Sequence, residues 1–405
     1  MATSATTFTL QGLGLKLDSR ADMAQRLEGV DPTKIEEIHM GGNTIGVDAA
    51  LELAEFLEEG YKYQAPQVAD FADIFTGRLI TEIPAALTAI CDALIDKTSL
   101  VEINLSDNAF GGRSVDPMVP FLTQNRNFQI LKLNNNGLGP AGGNVLANAL
   151  LESAKLSEAE GKKSNLRTFI CGRNRLEDGS ASAWADAFAA HGGLTEIRMP
   201  QNGIRMDGIT ALAKGLAKNT SLQYIDLQDN TFTFEGALTG VQAWSDALAS
   251  WPELHTLNLS DCVLSGDGEV PSLVETLASG SNPKLHTLQL QNNNLEGETF
   301  ARINESIQGP LKSVMSLELQ WNDAEEDDTN LADIGAHMKR RGGKLFVSDE
   351  DEEDEEEKEE EGEAAIDGEA KRDAHIEEAV LKKEFGAVKD EADDLADLMN
   401  KVSIR

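Results

Sequence analysis

Cysteine and positive charge are both scarce in this chain of 405 residues, and each scarcity excludes a class of protein. The three cysteines, Cys91, Cys171 and Cys262, lie far apart and form no CxxC pair, so neither a disulfide framework nor a zinc site is indicated. Lys and Arg total 35 against 70 Asp and Glu, and a formal charge of −35 disfavours binding to nucleic acid or an anionic membrane. A basic protein partner is the natural counterpart of such a charge.

Long apolar segments and targeting signals are also missing. No run of eighteen apolar residues occurs, and the start "MATSATTFTLQGLGLKLDSR" has no basic leader followed by an apolar core. We therefore expect a soluble, unprocessed, intracellular chain.

The common catalytic motifs are absent as well. The sequence contains no GxxxxGK[ST], HExxH or GxSxG, and its six histidines are scattered. The stretch "EGKKS" at 160–164 resembles a phosphate-binding loop only superficially, because the upstream glycine is missing. A self-contained enzyme is not expected, and any catalysis would be supplied to the active site of another protein.

A repeat is present instead. Segments such as "LVEINLSDNAFG" at 100, "FQILKLNNNGLG" at 128 and "LTEIRMPQNGIR" at 194 follow LxxLxLxx(N/C)xL, the leucine-rich repeat pattern. Its Asn or Cys falls at positions 43, 108, 136, 174, 202, 230, 262, 293 and 322. The segment "VADFADIFTGRL" at 68 fills the double gap after position 43 and would place Thr76 in the Asn position. The polar insert "SEAEGKKSN" at 157 is predicted to be an exposed loop.

Each unit predicts a short strand, a turn and a helix. The LxL residues alternate between two faces, and the Asn amide satisfies backbone groups in the turn, so Asn136 is predicted to be structural. In "RMDGITALAKGLAKN" the residues Ile209, Leu212 and Leu216 fall on one helical face. We expect ten to eleven units to stack into an α/β horseshoe, a right-handed solenoid with parallel strands on the concave face and helices outside.

Composition divides the chain into three parts. Residues 1–346 form the predicted leucine-rich repeat domain, with an atypical capping repeat at the start. Residues 347–363 include a run in which thirteen of fifteen residues are acidic, and we expect this segment to be disordered. Residues 364–405 regain helical periodicity and are predicted to be an amphipathic helical segment. Its end, 395–404, also has the spacing of a leucine-rich export signal, and both interpretations stay open.

The candidate functional residues are those that the repeat itself does not need. Directly before the Asn position the units present Gly42, Phe75, Asp107, Asn135, Arg173, Gln201, Asp229, Asp261, Asn292 and Trp321. This row is predicted to lie where strands lead into turns. Asp, Asn and Gly are common in turns for purely local reasons, whereas aromatic side chains at an exposed rim suggest contact with a partner.

Arg78 stands where other units place an apolar residue. A guanidinium cannot enter a core unpaired without a penalty of several kcal/mol, so Arg78 must be exposed or held by a carboxylate such as Asp73. A structural ion pair and a functional role are both consistent with the sequence.

The non-repeat residues form an ordered series that resembles a known family. "DIFTGR", "LSDNAFG", "NNNGLGP", "CGRNRLE", "QNGIR" and "LQDNTFT", together with the acidic run, resemble RanGAP, the family of GTPase-activating proteins for the small GTPase Ran, in its fungal form. The resemblance implies binding to Ran-GTP, a role in nucleocytoplasmic transport and a location in the cytoplasm, with the nuclear envelope as a further site. It implies no cofactor beyond the GTP and magnesium of the bound GTPase.

The resemblance also implies roles for individual residues. Asn135 matches a family asparagine that orders the catalytic glutamine of Ran, and no arginine finger is implied, so Arg78 would orient or bind Ran. Candidate GTPase-binding residues are Arg173, Arg175, Asp229, Asp107 and Trp321. A monomer that binds Ran, and that admits a Ran-binding protein in a ternary complex, is expected.

The sequence is also compatible with two other classes of protein. A noncatalytic inhibitor similar to ribonuclease inhibitor would also be an acidic solenoid of long repeats, but that family is rich in cysteine, and here only Cys262 occupies the Asn position. An acidic leucine-rich histone-binding protein would explain the acidic run, although such proteins have shorter repeats. Release of phosphate from Ran-GTP would distinguish the three classes.

Overall fold

The computed structural model describes residues 6–60, 66–325 and 327–348. Contacts divide the chain after Leu345, and the following fold is that of the first unit. The predicted acidic segment lies outside the described residues from position 349 onward, and the whole predicted C-terminal helical segment lies outside them too. Within the described residues, no helix is long and apolar enough to cross a bilayer.

Short strands and helices alternate along the chain. The strands are β1 Thr7–Thr9, β2 Lys16–Leu17, β3 Glu37–His39, β4 Thr44–Ile45, β5 Val68–Asp70, β6 Glu102–Asn104, β7 Ile130–Lys132, β8 Thr168–Ile170, β9 Glu196–Arg198, β10 Tyr224–Asp226, β11 Thr256–Asn258, β12 Thr287–Gln289, β13 Ser316–Glu318 and β14 Lys344–Phe346. The helices are α1 Arg20–Leu27, α2 Val47–Gly60, α3 Ile83–Leu94, α4 Met118–Gln124, α5 Gly139–Ala159, α6 Glu177–His191, α7 Met206–Leu216, α8 Thr239–Leu248, α9 Ser272–Ala278, α10 Gly297–Ser306 and α11 Thr329–Arg340, with a 3₁₀ turn at Pro32–Lys34.

Twelve of the strands form one sheet in chain order, and β2 pairs separately with β4. The register is parallel and repeats from unit to unit, as in Ile103 opposite Leu131 and Leu131 opposite Phe169. In most strands the central residue is buried and its neighbours are half-buried, which is the alternation expected when one face of a sheet is covered by helices. One hydrophobic cluster extends from Phe8 to Met338. The predicted α/β solenoid of leucine-rich repeats is confirmed.

The Asn positions connect successive units through hydrogen bonds. The Oδ1 atom of Asn136 accepts the backbone N–H of Asn108 at 2.9 Å, and the backbone N–H of Asn136 donates to Oδ1 of Asn174 at 2.9 Å. The Nδ2 group of Asn136 donates to the carbonyls of Leu105 and Leu133. Because Asn136 is fully buried and each of these groups would otherwise be unsatisfied, its predicted structural role is confirmed.

The register of the unit around β5 differs from the prediction. Alignment of β3, β5 and β6 places Ile74, and not Thr76, in the Asn position. The backbone N–H of Ile74 accordingly donates to Oδ1 of Asn108 at 2.8 Å, while Thr76 is exposed and donates to Asp73. An apolar residue at this position removes the sequence signal, because Ile74 cannot be recognised as a substitute for Asn.

The polar insert after position 157 is also only partly a loop. Helix α5 extends through Ser157 to Ala159, so the first residues of the insert lengthen the helix, and the loop begins at Glu160. The carbonyls of the last turn are satisfied by the backbone N–H groups of Glu160 and Gly161.

Candidate functional site

Ten residues, one from each successive unit, form a row with an unusual backbone conformation, which we call the rim row. They are Gly42, Asp73, Asp107, Asn135, Arg173, Gln201, Asp229, Asp261, Asn292 and Trp321, and every one has a φ angle between +49° and +72°. The row follows the strands at their C-terminal ends, as predicted. Backbone N–H groups along it donate to carbonyls of the next unit, for example from Asn135 to Gly172 at 2.9 Å.

The left-handed conformation explains some members of the rim row and leaves others unexplained. Gly, Asn and Asp tolerate positive φ better than other residues, so seven of the ten members suit their local backbone. Arg173, Gln201 and Trp321 do not, and an ordinary side chain in this region costs roughly 1–2 kcal/mol. The exposed guanidinium of Arg173 and the half-exposed indole of Trp321 are therefore candidates for contact with a partner.

Phe75 does not belong to this row. The β5 register puts Asp73 in its place, and the Phe75 ring is buried and packs on Phe110 with 6.1 Å between ring centroids. The predicted partner contact by Phe75 is therefore wrong.

The three consecutive asparagines at 134–136 have three different environments. Asn134 is half-buried, and its Oδ1 atom accepts the backbone N–H of Gly172 at 2.6 Å. Asn136 is the buried residue described above. Asn135 is exposed between them, with φ +52°, and its Nδ2 group donates to Oδ1 of Asp107 at 3.0 Å. Asn135 thus presents a polar amide on a backbone fixed by both neighbouring units.

Arg78 is enclosed by the start of the chain, residues 6–46, which we call the capping unit. Its side chain is 9% exposed, Nη1 pairs with Oδ1 of Asp18 at 2.5 Å, and Nε donates to Oγ1 of Thr44 at 2.8 Å. Nη2 donates to the carbonyls of Leu17 and Thr44. The guanidinium, helped by Lys16, holds the pKa of the Asp18 carboxyl below its usual range. The prediction that Asp73 pairs with Arg78 is wrong, because the carboxylate that binds Arg78 belongs to Asp18, sixty residues upstream.

The other predicted residues are exposed along the same edge of the sheet. Arg175 has φ +54° and lies two residues after Arg173, and neither guanidinium makes a side-chain hydrogen bond or ion pair within the described part of the chain. Asp229 is exposed two units further along the row. Asp107, Asn135 and Arg173 occupy consecutive units, so the structure brings them together, whereas Trp321 lies at the far end.

Two exposed apolar residues were missed by sequence reasoning. Leu79 and Ile80, directly after Arg78, are 66% and 56% exposed. The sequence does not predict their exposure, because an apolar pair before a helix is ordinarily assigned to the core. They lie in the segment that the enclosed Arg78 anchors.

A cavity lies elsewhere in the described part of the chain. It has a volume of about 650 Å³ and is lined by Lys162, Lys163, Arg167 and His191 among others. Arg167 directly precedes β8, so this cavity lies at the opposite end of the strands from the rim row. It contains none of the predicted site residues. In the described residues, no group of three or more His, Cys, Asp or Glu side chains would hold a metal ion.

The repeat and its buried Asn positions define a leucine-rich repeat protein. A family model described as "Leucine Rich repeat" matches residues 124–147 and 218–239. The chain is 34% identical over 331 residues to Ran GTPase-activating protein 1 of Saccharomyces cerevisiae, and the match covers 80% of each protein. The chain belongs to the family of Ran GTPase-activating proteins.

Two animal relatives match a shorter part of the chain. Ran GTPase-activating protein 1 of Xenopus laevis is 42% identical over 200 residues, which cover 48% of this chain and 34% of that protein. Ran GTPase-activating protein 2 of Caenorhabditis elegans is 39% identical over 206 residues, which cover 50% of this chain and 21% of that protein. The similarity to these longer proteins is therefore confined to a part of each.

Proposed function

We propose that this chain binds Ran in its GTP form and accelerates hydrolysis of the bound GTP. Its relatives in yeast, frog and nematode carry this activity in their names. The chain would act in trans on the active site of the GTPase, which supplies the GTP and Mg²⁺, so no cofactor of its own is needed.

The observation that carries the mechanism is the environment of Asn135. Its amide is exposed, yet its backbone is held by both neighbouring units and its Nδ2 group by Asp107. An amide can both donate and accept, which suits the glutamine side chain of a GTPase that must orient the attacking water. Placing that glutamine before the reaction lowers the barrier, because the cost of ordering it is removed from the chemical step.

The surrounding residues would provide the binding surface. We propose that Arg173, Arg175, Asp229 and Trp321 contact the GTPase, since all four are exposed along one edge of the sheet, whereas Asp107, exposed on the same edge, acts through its hydrogen bond to Asn135. Aromatic and arginine side chains commonly contribute most to such interfaces.

Arg78 would act by positioning and not by touching phosphate. All three nitrogens of its guanidinium are already engaged inside the capping unit, so the group is not available as an arginine finger. Its role would be to hold the segment that exposes Leu79 and Ile80, which would contact the partner.

The wider setting follows from the same proposal. We expect a monomer that acts in the cytoplasm, with the nuclear envelope as a second site, and that supports nucleocytoplasmic transport. A Ran-binding protein would join in a ternary complex, and neither nucleic acid nor a membrane would be a partner of a chain with a charge of −35.

The test is single-turnover hydrolysis of Ran-GTP at saturating activator. Asn135→Ala should still bind Ran-GTP and lose roughly a hundredfold or more of the acceleration, as expected when a transition-state contact is removed. The matched control is Asn292→Ala, because Asn292 is also exposed in the rim row and its Nδ2 group is also bound, at 2.6 Å, to an aspartate, Asp261. Wild-type turnover in Asn135→Ala would refute the mechanism, and binding without any phosphate release would favour a noncatalytic binder.

A further inference from the structure

The hydrogen bond between Asp107 and Asn135 determines which end of the Asn135 amide faces outward. The Oδ1 atom of Asp107 lies 3.0 Å from Nδ2 of Asn135. An ionised carboxylate can only accept hydrogen bonds, so the nitrogen end of the amide must turn towards Asp107. The oxygen end is then left exposed, and within the described residues it has no hydrogen-bond donor.

The direction of the amide matters for a glutamine of a bound GTPase. An outward Oδ1 atom accepts from the amide N–H of that glutamine and leaves the glutamine oxygen free to accept a hydrogen bond from the attacking water. An outward Nδ2 group would instead donate to the glutamine oxygen and compete with the water. We propose that Asp107 is a positioning residue, which selects the productive orientation of Asn135, and this inference rests on the proposed function.

Both side chains are carried by a backbone that keeps them in register. The N–H of Asp107 donates to the carbonyl of Asn134 at 2.8 Å, and the N–H of Asn135 donates to the carbonyl of Gly172 at 2.9 Å. Asp107 and Asn135 therefore lie side by side in adjacent units, with φ angles of +61° and +52°. Since both side chains are exposed, replacement of the carboxylate should leave folding unchanged.

The rim row contains a second pair with the same chemistry. Asn292 donates from Nδ2 to Oδ1 of Asp261 at 2.6 Å, again between adjacent units. The fold therefore makes this Asp–Asn bond at a place to which the proposed mechanism assigns no role, and this pair gives a matched control.

The test compares Asp107→Asn with Asp261→Asn. An amide at position 107 can donate to Oδ1 of Asn135 and so permits the flipped orientation, with almost no change of shape. In single-turnover hydrolysis, Asp107→Asn should lower the saturating rate about tenfold or more. The activator concentration for half the maximal rate should stay within about twofold of wild type, and melting should be unchanged. Asp261→Asn, which removes the same charge from the rim row, should keep the wild-type saturating rate and melting and should change the half-saturating concentration no more than Asp107→Asn does.

A double variant shows whether Asp107 acts through Asn135. On the Asn135→Ala background, Asp107→Asn should cause no further loss, because residues that act as one unit are not additive. Additive losses, a change confined to the half-saturating concentration, or a wild-type rate in Asp107→Asn would each overturn the inference.

The two proposals fail in different ways. If Asn135→Ala loses turnover and Asp107→Asn does not, only the positioning role of Asp107 is wrong. If Asn135→Ala keeps wild-type turnover, the proposed mechanism fails, and the inference about Asp107 fails with it.

Discussion

At the scale of single residues, neighbouring asparagines lie in different environments. Asn136 is fully buried and its amide bonds to two carbonyls and one N–H, whereas the neighbouring Asn135 is exposed. We expect Asn136→Ala to lower the free energy of unfolding by about 1–3 kcal/mol, because these backbone groups would lose their partners. Asn135→Ala should melt as wild type does.

Denaturant unfolding and hydrolysis measured on the folded fraction check this pair. Asn136→Ala should activate normally once its unfolded fraction is taken into account. A variant that is stable but inactive would contradict the structural role of Asn136.

His191 predicts a pH dependence of stability. Its ring is 8% exposed at the end of α6, and burial, helped by the charge of Arg167, lowers its pKa from 6.5 to about 4 despite a hydrogen bond with the backbone of Leu150. Below pH 6.5 the unfolded chain binds a proton that the folded chain does not, so stability falls as the pH drops from 6.5 to 4. The loss should reach about 3 kcal/mol, since one pKa unit corresponds to about 1.4 kcal/mol.

The measurement is the difference between wild type and His191→Gln, because many carboxylates also titrate in acid. The difference in the free energy of unfolding should be constant above pH 7 and should shift in favour of the variant between pH 6.5 and 4. Parallel curves for the two proteins over that range would contradict the prediction.

Individual residues also show what could and could not be predicted from the sequence. Position along the repeat was enough to separate Asn135 from Asn136, because a fixed period places each residue relative to the strand. The partner of Arg78 could not be predicted, since Asp18 is brought to it only by the pairing of β2 with β4. The positive φ angles of the rim row were also not predicted, because residues such as Arg173 and Trp321 rarely adopt them.

At the scale of elements, the unit containing β5 is the one whose register the repeat pattern did not predict. The sequence pattern failed there because Ile74 replaces the Asn, and the assignment slipped by two residues to Thr76. The helix α7 was predicted well, because the spacing of its apolar residues is a local signal. The extension of α5 into the polar insert was not predicted, because a polar composition is found in exposed helical turns as well as in loops.

Arg78→Ala should loosen the capping unit and impair activation together. The substitution removes contacts to Asp18, Thr44 and the carbonyl of Leu17, and it frees the segment that exposes Leu79 and Ile80. We expect amide hydrogen exchange to speed up at 15–18, 44–46 and 75–82, while exchange in α7 stays unchanged.

Arg78→Lys should restore little of the activation and of the protection from exchange that Arg78→Ala loses, because an ammonium cannot reproduce the planar set of donors of a guanidinium. The control is Arg302→Ala, which removes a more exposed arginine that is also paired with a carboxylate, that of Glu275. Unchanged exchange and melting with lost activation in Arg78→Ala would instead indicate direct contact with the GTPase.

At the scale of the whole molecule, stability should reside in the repeats. The hydrophobic cluster ends at Met338, and contacts divide the chain after Leu345. A chain that ends at Val347 should therefore melt cooperatively, with a midpoint close to that of the full chain, and should retain activation. Calorimetry of the two forms checks this, and a broad, noncooperative transition in the shorter form would contradict it.

The charge of the whole molecule predicts how association responds to salt. A chain with a formal charge of −35 should be steered towards a basic partner, so the association rate constant should fall as ionic strength rises. Screening shortens the reach of exposed charges to about 10 Å at 0.1 M salt and about 3 Å at 1 M. Stopped-flow association with Ran bound to a nonhydrolysable GTP analogue measures the rate.

Variants test whether the charges near the rim row matter most for this steering. Asp229→Asn removes an exposed charge in the row and should lower both the association rate and its salt dependence. Glu158→Gln removes an exposed charge beside the cavity at the opposite end of the strands and should change neither by a comparable amount. The 21 residues of α5, at about 1.5 Å each, separate Glu158 from the rim row by more than the screening length. An association rate that is independent of salt would contradict steering, and equal effects of the two variants would show that the net charge alone is responsible.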